Sequence, residues 1–328
     1  MTHYLITGGA GFIGSHLAEL QLARGEHVTV VDDLSTGCFE NIAPLVEHPR
    51  FRFALDTITN EVVMDRLVSE CDTIVHLAAA VGVELILNDP VRGIETNVLG
   101  THAVLKVAAR YRKKVLVAST SEIYGKSDRV PFAEDQDRVL GATTVARWSY
   151  STSKAVDEFL ALAYHQQMGL PVVIFRLFNT VGPRQTGRYG MVVPRLVQQA
   201  LAGEPLTVYG DGNQSRCFLH VHDAVRAIAS LASCPEAVGQ VFNVGSTTEI
   251  SILSLARRVL AVSTGNGDER QIHFVPYAEA YGPGFEDMQR RVPDVSRIQR
   301  VTGWRAECGL DQILADVAAY HKAQTGGS

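Results

Sequence analysis

A glycine-rich stretch at residues 7–15, close to the N-terminus, constrains the fold more than any other part of the chain. It lies between a short apolar run at 3–6 and a pattern of apolar residues at helical spacing. Its glycines satisfy both G-x-G-x-x-G and G-x-x-G-x-x-G: Gly8, Gly9, Gly11 and Gly14. Between a strand and a helix, such glycines allow a tight turn and bring a pyrophosphate close to the backbone at the helix N-terminus. The stretch therefore predicts a dinucleotide-binding site in an α/β fold.

An acidic residue follows the next apolar run, where a dinucleotide site needs one. The run at 28–31 ends in Asp32, which lies 18 residues after Gly14. This is close to the spacing of an acid that binds the adenosine ribose hydroxyls. An acid there favours NAD over NADP, because a 2′-phosphate would meet a negative charge. The alternative is a tight strand–helix turn followed by a solvated loop carboxylate.

Apolar runs and helical patterns alternate along the chain. The runs are mostly apolar throughout, which is typical of parallel strands covered by helices on both faces. The predicted strands are 3–7, 27–32, 51–56, 73–78, 114–119, 171–176 and 241–245. The predicted helices are 12–24, 60–69, 97–112, 149–168, 189–203, 222–233, 251–263 and 309–323. This order predicts an α/β, Rossmann-type, doubly wound parallel sheet with a smaller interleaved lobe.

Two segments rich in Gly, Pro, Arg and aromatic residues interrupt this alternation. We assign residues 1–176 and about 217–245 to the domain that contains the sheet, and residues 177–216 and 246–328 to the smaller lobe. Ligands bind at the carboxyl ends of the strands in such sheets. The smaller lobe is therefore expected to cover that edge.

The composition excludes several classes of protein. The net charge is −5 and there is no basic block, which argues against nucleic acid as the main partner. The five cysteines are scattered, with no C-x-x-C pair. We therefore expect no metal site and no disulfide framework, and we expect the protein to be in a reducing compartment, the cytoplasm. The chain enters a strand at once, which leaves no room for a signal peptide, and no apolar run is long enough to cross a membrane.

Two groups of polar residues have the pattern of a catalytic site. Thr120, Ser121 and Glu122 follow the fifth predicted strand, at the edge where chemistry is expected. Tyr150 and Lys154 are four residues apart at the start of a predicted helix, so they share one face. A nearby ammonium and the positive nicotinamide ring of an oxidised cofactor would favour the phenolate and lower the pKa of Tyr150. Tyr150 is then a candidate base near neutral pH.

The chain resembles the extended short-chain dehydrogenase/reductases that modify nucleotide sugars. The resemblance covers nearly the whole chain and is carried by motifs in the family's order. These motifs lie at 7–14, 76–79, 97–101, 119–125, 150–154, 176–179, 182–184, 208–212, 216–223 and 290–294. The resemblance implies NAD as cofactor, and oxidation at C4 of the sugar as a shared first step.

The resemblance also implies a role for each matching residue at the reacting end. Tyr150 would take the proton of a sugar hydroxyl while hydride passes to NAD. Thr120 would bind that hydroxyl, and Lys154 would orient the cofactor ribose and tune Tyr150. Further cofactor contacts would come from Gly8, Gly11, Phe12, Ile13, Gly14, Asp32, Asp56, Leu77, Ala78, Ala79 and Asn97. For Asn97, a purely structural role is an equal alternative.

The nucleotide sugar would be held by residues of the second half of the chain. By resemblance, Asn179, Arg216 and Arg291 would hold its diphosphate, and Asp294 would reach its ribose. In a protein of net negative charge, a diphosphate needs local guanidinium groups such as these. The alternative for each arginine is a surface salt bridge.

Residues 120–122 reduce the number of reactions that the resemblance allows. A 4,6-dehydratase of this family would have Asp-Glu after the threonine, whereas this chain has Ser121-Glu122. That pair resembles the enzymes that act on UDP-glucuronate, both 4-epimerases and decarboxylases. Arg184 or Arg188 would clamp the substrate carboxylate, with Ser121 as a further contact. The stretch 189–193 departs from the decarboxylase pattern, so the sequence favours epimerisation of UDP-glucuronate to UDP-galacturonate.

Other functions stay open. They are UDP-glucuronate decarboxylation, 4-epimerisation of UDP-glucose or UDP-N-acetylglucosamine, and a non-catalytic NAD-binding regulator. The intact set of Thr120, Tyr150 and Lys154 argues against the regulator. The resemblance further implies a homodimer through helices 97–112 and 149–168, whose apolar positions fall on more than one face. The alternative is that these positions are buried within one chain.

Overall fold

The computed structural model describes residues 1–82, 89–187, 191–264, 271–281 and 287–325. Its strands are β1 (His3–Thr7), β2 (His27–Asp32), β3 (Phe51–Leu55), β4 (Thr73–His76), β5 (Lys114–Thr120), β6 (Val172–Leu177), β7 (Thr180–Val181), β8 (Leu206–Tyr209), β9 (Ser215–Cys217), β10 (Leu219–His220), β11 (Val241–Val244), β12 (Glu249–Ser251) and β13 (Ile272–Val275). Its α-helices are α1 (Phe12–Ala23), α2 (Glu61–Glu70), α3 (Pro90–Tyr111), α4 (Ser149–Met168), α5 (Val192–Ala202), α6 (Val221–Ser233), α7 (Ile252–Thr264), α8 (Tyr277–Tyr281), α9 (Ser296–Thr302) and α10 (Leu310–Thr325).

Seven of these strands form one parallel sheet in the order β11-β6-β5-β4-β1-β2-β3. The side chains of a strand alternate between the two faces, and both faces are buried. Leu5 packs into a cluster with residues of α2, α3 and α4, whereas Ile6 packs into a cluster with residues of α1 and α6. The continuous apolar strands of the sequence are explained by this double cover, and the predicted doubly wound sheet is confirmed.

The strand bounds of this sheet agree with the predicted ones within two residues. The main difference is α3, which begins at Pro90 rather than at residue 97. The side chain of Asp89 accepts a hydrogen bond from the backbone N–H of Arg92 at 3.3 Å, and Pro90 occupies the first turn. Both features start a helix. The earlier start places Asn97 inside the helix rather than at its N-terminus.

The smaller lobe has its own apolar core. Residues of α5, α7 and α10 pack together with Leu206 and Val208 of β8. One segment assigned to this lobe from the sequence packs elsewhere: Val295, Ile298 and Trp304 join the core on the α1 and α6 face of the sheet. Within the described ranges, the structure has no helix that is both long enough and apolar enough to span a bilayer.

Candidate active site

A cleft of about 1460 Å³ runs along the carboxyl edge of the sheet, between the two lobes. Its walls combine the glycine-rich turn after β1, the ends of β2, β4, β5 and β6, the first turn of α4 and residues of α5. Carboxyl ends of parallel strands meet at one edge of a sheet. The cleft therefore brings together segments that are far apart in the sequence.

The glycine-rich turn has the conformation that a close-fitting ligand requires. Gly8 has φ +68°, and a Cβ atom there would lie 2.8 Å from the backbone nitrogen of Ala78. Helix α1 begins directly after Gly11, and no side chain caps its N-terminus. Such a helix end favours an anionic group. Gly8, Gly11, Phe12, Ile13 and Gly14 all line the cleft, as do Leu77, Ala78 and Ala79.

Asp32 and Asp56 lie at one end of the cleft. The carboxylate of Asp32 accepts hydrogen bonds from the backbone N–H groups of Ala10 at 2.9 Å and Leu34 at 2.8 Å. Burial raises the pKa of Asp32, and these two donors oppose that rise. Asp56 accepts a hydrogen bond from the backbone of Thr57 at 2.8 Å. Both carboxylates line the cleft, and their contact with an adenosine stays a prediction.

Asn97 is buried and is not among the residues that line the cleft, so its role as a cofactor contact stays a prediction. It is 1% exposed. Its side-chain oxygen accepts from the backbone N–H of Ala80 at 2.8 Å, and its amide nitrogen donates to Ser153 Oγ at 3.2 Å. Asn97 therefore joins the segment after β4 to helices α3 and α4. This is the structural alternative that the sequence left open.

The predicted catalytic residues come together at the middle of the cleft. Thr120 ends β5, Tyr150 lies in the first turn of α4, and both line the cleft. Ser121, Glu122 and Lys154 line the same part of the cleft. Lys154 Nζ donates to Asp157 Oδ2 at 2.8 Å, and both side chains are almost fully buried. The pairing of Lys154 with Asp157 was not predicted.

The environment of Tyr150 differs from the one expected. Burial raises the pKa of Tyr150 well above its ordinary value, and the negative charge of Glu122 raises it further. Asp157 acts in the same direction, whereas the hydrogen bond to Thr120 and the charge of Arg147 oppose the rise. Lys154 was expected to lower this pKa, but its ammonium group is bound to Asp157, so its charge is shared with that carboxylate.

Three arginines and two carboxylates lie beside Tyr150 and form what we call the charge cluster: Arg147, Arg216, Arg291, Glu122 and Asp287. Arg147 is ion-paired with Glu122, and its Nη2 lies 4.0 Å from Asp287 Oδ1. Arg291 Nη2 donates to Glu122 Oε1 at 2.9 Å, and Arg216 Nη2 donates to Asp287 Oδ2 at 2.9 Å.

The charge cluster keeps Glu122 ionised. Burial alone would raise the pKa of Glu122, but the charges of Arg291 and Arg147 outweigh this effect and lower the pKa to about 2. Burial also lowers the pKa of Arg216, and the neighbouring charge of Arg291 adds to that effect. Glu122 is therefore a carboxylate at any physiological pH, and its charge is shared by two guanidinium groups.

Two of the predicted substrate contacts are bound to other groups of this protein. Arg184 lines the cleft, but its guanidinium donates to Ser15 Oγ at 3.2 Å and to Glu19 Oε1 at 2.5 Å, both on α1. It therefore does not reach the charge cluster as the predicted carboxylate clamp. Asp294 is absent from the cleft walls, because its carboxylate accepts from the backbone of Ser296 at the start of α9. Arg188, Tyr189 and Gly190 lie outside the described residues.

The remaining predicted substrate contacts face the cleft together. Asn179, Arg216 and Arg291 line it, and Arg291 Nη1 lies 3.5 Å from Asn179 Oδ1. The sequence analysis missed Arg147, Asp157 and Asp287. The position of Arg147, three residues before Tyr150, was an available signal. The sequence around Asp287 gave no such signal, because only the fold of the chain brings Asp287 to the cleft.

Comparisons with known proteins agree with this geometry. The family model described as GDP-mannose 4,6 dehydratase matches residues 5–317. A UDP-N-acetyl-alpha-D-glucosaminuronate decarboxylase of Bacillus cytotoxicus is 41% identical over 320 residues, which cover 97% of each chain. A UDP-glucuronic acid decarboxylase 1 of Xenopus tropicalis is 35% identical over 320 residues, which cover 98% of this chain and 72% of that protein.

Solved structures share the fold. A crystal structure of a UDP-glucuronic acid 4-epimerase from Bacillus cereus, in complex with UDP-glucuronic acid and NAD, matches with a TM-score of 0.87. It is 28% identical, and the match covers 98% of this chain and 99% of that one.

Proposed function

This chain belongs to the GDP-mannose 4,6 dehydratase family of nucleotide-sugar-modifying enzymes, and we propose that it is an NAD-dependent decarboxylase of a UDP-linked hexuronate. The observation that carries the proposal is the charge cluster beside Tyr150, in which three arginines and two carboxylates of the described residues come together. A substrate with both a diphosphate and a sugar carboxylate would complement that excess of positive charge. The proposal is supported by the decarboxylase names of relatives 41% and 35% identical to this chain.

The cleft has the features needed to hold NAD. A Cβ atom at Gly8 would meet the backbone of Ala78, so glycine allows the turn to pack closely against the segment after β4, and both line the cleft. We propose that the N-terminus of α1 binds the pyrophosphate, that Asp32 and Asp56 face the adenosine, and that Lys154 binds the nicotinamide ribose. When bound, NAD supplies an acceptor for the hydride at C4 of the sugar.

The catalytic residues act on the hydroxyl group of the same carbon. Thr120 binds the C4 hydroxyl and Tyr150 removes its proton, because both line the cleft and Thr120 lies close enough to influence the pKa of Tyr150. A tyrosine with a raised pKa is a strong base once deprotonated, and it holds the proton firmly after accepting it. The resulting phenol then donates a hydrogen bond to the C4 oxygen of the oxidised sugar.

Loss of carbon dioxide follows from the chemistry of the oxidised sugar. A ketone at C4 makes the C6 carboxylate a β-keto acid. When the C5–C6 bond breaks, its electron pair moves towards C4 and the carboxylate leaves as neutral carbon dioxide. Negative charge then develops on the C4 oxygen, where the Tyr150 phenol donates its hydrogen bond and stabilises it. Protonation at C5 gives a 4-keto pentose. Return of the hydride to C4, with the proton of Tyr150 passing back to the C4 oxygen, would then give the UDP-pentose with no net oxidation.

Epimerisation, which the sequence favoured, has less support from the relatives. The sequence argument rests on residues 189–193, and residues 188–190 lie outside the described part of the chain. The epimerase structure is 28% identical to this chain, against 41% and 35% for the two decarboxylases. Both reactions begin with oxidation at C4, so they share Thr120, Tyr150 and Lys154.

The experiment is a product analysis. The purified protein is incubated separately with UDP-glucuronate and with UDP-N-acetylglucosaminuronate, which differ at C2, and the sugars are analysed by mass spectrometry and proton NMR. We expect a UDP-pentose formed by loss of carbon dioxide from at least one of them. A product of unchanged mass with an altered C4 proton coupling would instead establish epimerisation. Turnover of neutral UDP-hexoses alone would contradict a hexuronate substrate.

A further inference from the structure

Arg147 occupies an unusual position for a charged side chain. It lies in the turn Ala146–Trp148 immediately before α4, three residues before Tyr150. Its side chain is 4% exposed, yet it lines the cleft. Its guanidinium is ion-paired with Glu122 and lies 5.5 Å from the ring of Trp148. Burying a guanidinium group costs a large desolvation free energy unless the group is paired with an anion. The ion pair with Glu122 therefore offsets the cost of burying Arg147.

Among the residues that the structure describes, the charge cluster has one more guanidinium group than carboxylates. Its three guanidinium groups face two carboxylates, Glu122 and Asp287. Arg291 Nε is also buried without a hydrogen-bond partner. A UDP-hexuronate carries two negative charges on its diphosphate and one on its sugar. The ligand could therefore satisfy all three arginines at once, but only if each anionic group meets a different part of the cluster.

The position of each arginine indicates which group it meets. Arg216 and Arg291 extend from β9 and from the segment before α9, and Arg291 approaches Asn179. Arg147 lies next to the catalytic tyrosine, and its charge acts on Tyr150 directly. The C6 carboxylate is attached to C5, the neighbour of the carbon whose hydroxyl Tyr150 deprotonates. It must therefore lie on the Tyr150 side of the cluster.

Resting on the proposed function, we propose that Arg147 is the residue that recognises the C6 carboxylate of the UDP-hexuronate. Glu122 holds the Arg147 guanidinium in place before substrate binds, and the substrate carboxylate then shares or replaces that contact. The sequence analysis gave this role to Arg184 or Arg188. Arg184 is held by Glu19 and Ser15 on α1, whereas Arg147 is a buried arginine of the cleft whose charge acts on Tyr150.

The pairing with Glu122 has a consequence for the reaction. The substrate carboxylate becomes neutral as it leaves, so an arginine that held it tightly would stabilise the ground state more than the transition state. Glu122 competes for the same guanidinium and thus limits that stabilisation. Arg147 then selects the carboxylated sugar, while Glu122 keeps the contact weak enough for carbon dioxide to leave.

The test compares the affinities of two ligands that differ at C6. Dissociation constants of UDP-glucuronate and UDP-glucose are measured calorimetrically on NAD-loaded protein, in a Tyr150→Phe background that blocks turnover. We expect the carboxylated ligand to bind at least tenfold more tightly, and we expect Arg147→Gln to bring the ratio close to one with the affinity for UDP unchanged. Arg184→Gln, which also alters an arginine of the cleft, should keep the ratio.

The outcomes separate this inference from the proposed function. A preference that persists in Arg147→Gln would overturn the role of Arg147 and leave the proposed function intact. If the unsubstituted charge cluster shows no preference for the carboxylated ligand, the proposed function itself fails. Removing Arg147 leaves Glu122 buried and unpaired, so the single variant can fail to fold. The double variant Arg147→Gln/Glu122→Gln removes both charges of the pair and is judged by the same ratio.

Discussion

Asp157 is a buried carboxylate two helical turns beyond Tyr150, and it changes the charge that surrounds the base. It binds Lys154 at 2.8 Å. The negative charges of Asp157 and Glu122 both raise the pKa of Tyr150, whereas the positive charge of Arg147 lowers it. Tyr150 acts as a base only when deprotonated, so activity rises with pH through its pKa. Asp157→Asn should lower that pKa and move the acid limb of the kcat/KM profile to lower pH.

The matched control is Asp311→Asn, which removes an exposed carboxylate paired with Arg258, far from the cleft. Its acid limb should coincide with that of the unsubstituted enzyme. An acid limb that moves to higher pH in Asp157→Asn would mean that the main role of Asp157 is to orient Lys154. In that case the ammonium, once released, would no longer favour the phenolate.

At the scale of elements, one buried ion pair joins helix α4 to the sheet. Glu158 accepts from Arg176 of β6 through two hydrogen bonds of 2.9 and 2.7 Å, and also from Ser119 of β5. Removing one partner of such a pair leaves a buried charge unpaired and costs about 3–5 kcal/mol. Glu158→Gln should lower the free energy of unfolding, measured in urea, by an amount in that range. Asp311→Asn, again the exposed control, should leave it within experimental error.

The turn between β1 and α1 is the second element with a testable geometry. Gly8 and Gly169 have almost the same backbone, φ +68° and +66°, but a Cβ atom would meet Ala78 at Gly8 and open space at Gly169. Alanine in this conformation costs about 1–2 kcal/mol at either position, and at Gly8 the overlap with the Ala78 backbone adds to that cost. Only Gly8→Ala should also lower NAD affinity, by at least tenfold in a fluorescence titration. Equal NAD affinities in both variants would contradict a close backbone contact at Gly8.

At the scale of the whole molecule, helices α3 and α4 leave large apolar side chains exposed on the outer surface. Val91 and Leu99 of α3 are 66% and 57% exposed, and Phe159 of α4 is 66% exposed. We predict that these helices meet their copies in a homodimer, as the sequence also suggests. Phe159→Glu should convert dimers to monomers in light scattering coupled to size exclusion. Val62→Glu, which changes an 81% exposed valine on α2, should leave the mass unchanged.

The sequence predicts the framework of this molecule well, because local patterns determine it. Continuous apolar runs mark the strands of the sheet, and spacing alone brings Tyr150 and Lys154 to one helix face. The two- to four-residue strands of the smaller lobe are too short to leave a periodic signal. The cap at Asp89 and Pro90 was a signal that the sequence analysis did not use.

Partners between distant side chains are harder to predict, because packing decides them. Arg291 and Glu122 are 169 residues apart, and Arg184 and Glu19 are 165 apart. Residue type shows that an arginine needs an anion, but not which one. For this reason Arg184 was assigned to the substrate, although it is bound to α1, while Arg147 was overlooked.

The central claim is that oxidation at C4, begun by Tyr150, releases the C6 carboxylate. The measurement is the release of labelled carbon dioxide from a UDP-hexuronate whose carboxylate carbon carries an isotopic label, compared between the unsubstituted enzyme and Tyr150→Phe. We predict labelled carbon dioxide in step with substrate consumption, and a rate at least about a hundredfold lower in the variant. Consumption of substrate with the label retained in the sugar would contradict the account.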